Sequence, residues 1–166
     1  MKKLLVTLGF LIIAGYSVTG LMLMNHWALV AASHQPLDAT IAAMNAADQH
    51  YKLAGGVVFL VLGLLLAGAW AWIALSKKLS MKPWLQAVIW SLILTLGAPA
   101  YFFASFANMN SIGDTYADWD MDAAAALERP LYLASAAAMV LLFVLLAARL
   151  ASAMTTGPRQ PRPVSS

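Results

Sequence analysis

Apolar residues in this chain do not form stripes; they form four long unbroken runs separated by short polar stretches. The runs cover residues 4–24, 54–76, 84–106 and 130–153. Each is long enough to cross a bilayer core, which takes about 20 helical residues at roughly 1.5 Å per residue. No Asp, Glu, Lys, His or Arg stands near the middle of any run, and the deepest charge, Arg149, is close enough to the end of the fourth to reach headgroup depth. The pattern predicts an all-α integral membrane protein: one domain over residues 1–156, four transmembrane helices arranged as two in–out–in hairpins, and outer loops at 25–53 and 107–129. Residues 157–166 hold three prolines and are expected to be a disordered cytoplasmic tail.

The outer loops carry helix signals of their own. Asp38 precedes an alanine-rich stretch over 39–48, which predicts a short interfacial helix with an acidic cap. Asp118 or Asp120 is positioned to cap a second short helix over 123–127, expected to stop before Pro130. The inner loop near 77–83 is short and predicts close pairing of the second and third spans.

Charge fixes the expected direction. Eight of the ten basic residues (Lys2, Lys3, Lys77, Lys78, Lys82, Arg149, Arg159 and Arg162) fall on the side holding both termini and the inner loop. All seven acids fall on the opposite side. The positive-inside rule then puts both termini in the cytoplasm of a bacterial-type inner membrane. Trp27 and Trp119 are expected at the outer interface, and Trp70, Trp72, Trp84 and Trp90 toward the inner one. Met1-Lys2-Lys3 before an apolar run also opens secretory signals, but this run exceeds the usual core of about 7–15 residues, so an uncleaved first helix is expected.

Composition agrees and excludes much chemistry. The 166 residues are 62% hydrophobic and 10% charged, with a mean hydropathy of +0.77, far from a soluble domain at about 25% charged. Cysteine is absent, which excludes disulfides, thiolate catalysis and cysteine-held metal clusters. A net charge of +3 is too small and dispersed for nucleic acid. Without an intramembrane acid or His–Glu pair, nothing serves an intramembrane protease or an ion-coupled carrier, and no catalytic residue is assigned.

Three sets of residues remain as candidates. His26, His34 and His50, with Met22 and Met24, offer imidazole and thioether donors that suit copper. His26 and His50 flank the first outer loop at one height, the arrangement a haem b would need. Asp114, Asp118, Asp120 and Asp122 form an acidic run suited to docking a partner protein. Small and polar residues in the spans (Gly63, Ala67, Ser91, Thr95, Pro99, Ala134 and Ala138) mark helix-packing seams, internal or facing another subunit. The leading expectation is a non-catalytic accessory, assembly or regulatory subunit of a larger membrane complex. Copper or haem handling at the outer histidines is the alternative. A small channel or lipophilic-solute transporter with a path along Ser91, Thr95 and the Pro99 bend is a third.

Overall fold

The computed structural model of the chain describes residues 2–79 and 81–155. Helix α1 (Lys2–Met22) runs through a π-helical turn (Leu23–Trp27) into α2 (Ala28–Ser33). Helix α3 (Leu37–Ala46) follows, then α4 (Ala54–Leu75), α5 (Pro83–Thr115) and α6 (Met121–Thr155). Among the described residues all regular structure is helical. Four helices, counting Lys2–Ser33 as one, are long and apolar enough to cross a membrane. The predicted tail at 157–166 lies outside the described residues.

Helix α4 has 22 residues, about 33 Å, and matches a hydrocarbon core of about 30 Å. The other three have 32, 33 and 35 residues, so each is about 48 Å or longer. Their extensions, together with α2 and α3, build a structured cap at one end of the bundle.

The most extensive packing is of α1 on α4, followed by α5 on α6. Buried positions on α1 are Val6, Gly9, Ile13, Ser17 and Gly20, and on α4 Gly56, Phe59, Ala67, Trp70 and Ala74. Steps of three, four and eight keep each set on one face of its helix. Glycine makes the approach possible, because a Cβ at Gly9 would enter the Trp70 ring and one at Gly20 the Phe59 ring. A Cβ at Gly63 would strike Ser17 Oγ, and one at Gly56 would strike Asn25 Oδ1. Large side chains of one helix therefore occupy holes left by glycine in the other.

Three apolar clusters follow one another along the bundle. Val6, Ile13, Ala67, Trp70, Leu94 and Ala138 fill one end. Leu23, Met24, Phe59, Tyr101 and Leu131 fill the middle. Ala28, Leu29, Ala32, Met44, Ile112 and Ala124, each 1% exposed or less, fill the cap. In the middle, one aromatic ring from each long helix forms a column: Tyr16 to Phe59 at 6.1 Å, Phe59 to Tyr101 at 6.1 Å and Tyr101 to Tyr132 at 5.8 Å between ring centroids.

Two expectations about the loops are corrected. The short helix over 123–127 does not end before Pro130; α6 passes through it without a break. A helix-internal proline costs about 3 kcal/mol through a lost hydrogen bond and a ring clash. Here the buried face of α6, Ala124, Leu131, Ser135 and Ala138, is continuous across Pro130 and holds the helix together on both sides. The second correction concerns Asp38, which does not cap the first short helix. Pro36 is the N-cap of α3, and its carbonyl accepts Thr40 N at 2.9 Å and Thr40 Oγ1 at 3.0 Å. Asp38 instead sits in the first turn, where its charge favours the helix dipole. The far end of α3 closes with Asp48 at φ 57°, Asp48 N donating to Asn45 O and Gln49 N to Met44 O, the double bond of a Schellman motif.

Candidate functional site

The polar side chains of the cap are organised around the π-helical turn. Widening of the helix there moves the Ala28 amide onto the Leu23 carbonyl, and such turns recur at functional positions. The next two carbonyls then take side-chain donors: Asn108 Nδ2 donates to Met24 O at 3.1 Å and the Tyr51 hydroxyl donates to Asn25 O at 3.1 Å. Asn108 also grips the backbone of Lys52, accepting from its N–H at 2.8 Å and donating to its carbonyl at 3.0 Å. Asn25 Nδ2 donates to the same carbonyl at 3.0 Å. Two asparagines from different helices thus hold the segment between α3 and α4. Both are buried, at 6% and 3% exposure. Asn108 has all its groups paired, while Asn25 Oδ1 is buried with no partner.

A second tie joins α2 to α6 through Asp120. Its backbone N–H donates to Ala32 O at 2.8 Å, satisfying a carbonyl left open where α2 ends. Its Oδ1 accepts from Ala123 N at 2.8 Å and so caps α6. Its Oδ2 lies 3.2 Å from Nε2 of His34, the residue that terminates α2 at φ 53°. Ser33 and Thr40 close the turn between α2 and α3 with a hydroxyl–hydroxyl bond of 2.7 Å.

This arrangement divides the acidic run. Asp120 is engaged internally, while Asp114, Asp118 and Asp122 are exposed and their side chains make no hydrogen bond or ion pair among the described residues. Their backbone nevertheless has a fixed place, because Asp120 between them is tied at three points.

The histidines and methionines are dispersed. His26, His34 and His50 are exposed; His34 faces Asp120, and Met24 is buried in the middle cluster beside Phe59 and Tyr101. Met22 is half-buried on the last turn of α1. Among the described residues no three His, Asp or Glu side chains form a metal-holding group.

Of the seam residues, Ala67 and Ser91 are fully covered, Ala138 is 4% exposed, and Gly63 packs on Ser17. Thr95 Oγ1 donates to Ser91 O at 2.8 Å, turning back on its own helix. Ala134 and Pro99 point away from the bundle. The internal seam of α6 instead uses Ser135, whose hydroxyl donates to Leu94 O at 2.7 Å. With that proton committed, the 2.8 Å contact between Tyr16 and Ser135 must be donated by Tyr16. The relay joins α1, α6 and α5.

At the opposite end the tryptophans serve as donors and as a stacking surface. Trp90 Nε1 donates to Gly9 O at 3.0 Å and Trp70 Nε1 to Gln86 O at 2.9 Å, and the Arg149 guanidinium stands 5.4 Å from the Trp84 ring centroid.

Sequence reasoning missed Asn25, Asn108, Tyr51, Tyr101 and Glu128. Asn25 and Asn108 each follow an apolar run by a residue or two, and that position was the available signal. No protein-family model matches the chain, no curated protein matches it, and no solved structure matches it.

Proposed function

We propose that this chain is a non-catalytic accessory or assembly subunit of a larger membrane complex, inserted with both termini in the cytoplasm and its cap outside. The carrying observation is the division of labour within the acidic run. Asp120 anchors the α5–α6 connection; Asp118 on that connection, Asp114 on the last turn of α5 and Asp122 on the first turn of α6 stand exposed and uncommitted. A partner with basic groups then meets carboxylates whose backbone is already ordered, which lowers the entropy cost of association. The outward-facing alanines at 134, 147 and 151 on α6 supply close-approach surface for a neighbouring helix in the membrane.

The chain has no cysteine, so a single introduced cysteine is a clean reporter. A photocrosslinker on Asp118→Cys, attached with a membrane-impermeant reagent to intact cells, should yield one covalent product with a second membrane protein. The same reagent on Lys78→Cys should give neither labelling nor product. Absence of product at 118, or labelling of 78 in sealed cells, would overturn the proposal.

A further inference from the structure

Glu128 has no part in the docking surface or in the asparagine knot. It is half-buried on α6, and Tyr101, with no exposed surface, donates its hydroxyl to Glu128 Oε1 at 2.7 Å. The carboxylate makes no ion pair with any described residue. It lines a cavity of about 220 Å³ between α5 and α6, together with the rings of Phe102, Phe106, Trp119 and Tyr132. That volume corresponds to about seven waters in the liquid, room enough for a tetramethylammonium ion.

The walls define the ligand. Four aromatic rings and one carboxylate line a half-open groove, with Phe102 and Phe106 each about half exposed, and aromatic rings and a carboxylate both attract a cation that settles against them. Ser105, also in the wall, spends its hydroxyl proton on Phe102 O at 3.1 Å. The indole N–H of Trp119 is a donor, and the acceptors of the wall are the Glu128 carboxylate, the Ser105 oxygen and the Tyr132 hydroxyl. A primary ammonium is a compact, strongly hydrated charge and gives up more water to sit among these rings. A quaternary ammonium needs no acceptors and gains from every ring.

We infer that the α5–α6 cavity, built from Glu128, Phe102, Phe106, Trp119 and Tyr132, binds a quaternary ammonium group. The chemistry is shared by a trimethylammonium lipid headgroup and a free small cation. The position of Glu128, two residues before the fourth apolar run, puts the cavity at headgroup depth, so both sources reach it.

The test titrates tetramethylammonium chloride into the full chain in maltoside micelles, against equal sodium chloride, and reads tryptophan emission. A saturable change absent from Trp119→Phe is expected. It should require about tenfold more cation in Glu128→Gln, which keeps the acceptor for Tyr101 and loses the charge. Phe106→Leu, with the charge retained and one ring removed, should also weaken binding and provides the test if Glu128→Gln fails to fold. A linear response, or equal affinities in the wild type and both variants, overturns the inference. Nanodiscs separate the sources. If the headgroup is the ligand, added tetramethylammonium acts in phosphatidylglycerol discs and is blocked in phosphatidylcholine discs. If the free cation is the ligand, it acts equally in both. No response in either disc also overturns it.

Discussion

Asp120 Oδ2 lies 3.2 Å from His34 Nε2, so the residue that ends the first long helix faces the residue that begins the fourth. The pair is partly exposed, with side chains at 65% and 38%, and a surface pair of this kind contributes about 0–1 kcal/mol. The other two bonds of Asp120, the cap on Ala123 and the amide to Ala32, have a larger structural effect.

Three substitutions separate those contributions. Asp120→Ala should destabilise the chain by about 1–2 kcal/mol through loss of the cap. Asp120→Asn should be nearly neutral, since Asn caps as well as Asp, and His34→Ala should change stability by less than about 0.5 kcal/mol. Thermal unfolding in a mild detergent checks the order. If Asp120→Asn is as damaging as Asp120→Ala, the charge pair dominates and the cap account is wrong.

The asparagine knot makes an unequal prediction for two similar residues. Asn108→Ala strands the Lys52 N–H and removes donors from Met24 O and Lys52 O, which should cost at least about 2 kcal/mol. Asn25→Ala removes one bond to Lys52 O and an oxygen that has no partner, so its cost should be smaller, about 1 kcal/mol. Equal effects measured by denaturant or thermal unfolding would contradict the bonding pattern.

Glycines in the bundle should divide in the same way. A Cβ at Gly55 falls 2.5 Å from the Ala104 carbonyl oxygen, which is backbone and does not rotate away. Gly55→Ala should therefore destabilise by about 1–3 kcal/mol. Nothing lies within 4 Å of a Cβ at Gly15 or Gly68, and alanine there should stabilise by up to about 1 kcal/mol through helix propensity. Melting temperatures of the three variants should bracket the wild type; a stabilised Gly55→Ala would refute the close approach of α4 and α5.

Much of the fold was legible because the four apolar runs are continuous and uncharged, and length alone then dictates helices. The boundaries were less so. The continuous helix Lys2–Ser33 and helices α5 and α6 run past their apolar stretches because Asn25, Asn108 and Asp120, polar residues that read as loop, are paired inside the cap. Pro130 reads locally as a helix stop, yet the Leu131–Ser135–Ala138 face overrides it. The acidic run was visible as composition, but only the structure divides Asp120 from its neighbours. Glu128 looked like one more outer acid, since its link to Tyr101 joins two helices and leaves no trace in local sequence.

The subunit account is tested most directly by purifying the chain from its native membrane in mild detergent, beside an Asp114→Asn, Asp118→Asn, Asp122→Asn variant, and weighing both intact by mass spectrometry. The account predicts one membrane partner at fixed stoichiometry with the wild type, released by raised salt and absent from the variant, while the variant itself remains folded. A wild-type chain that purifies alone, or a partner retained equally by the variant, would contradict it.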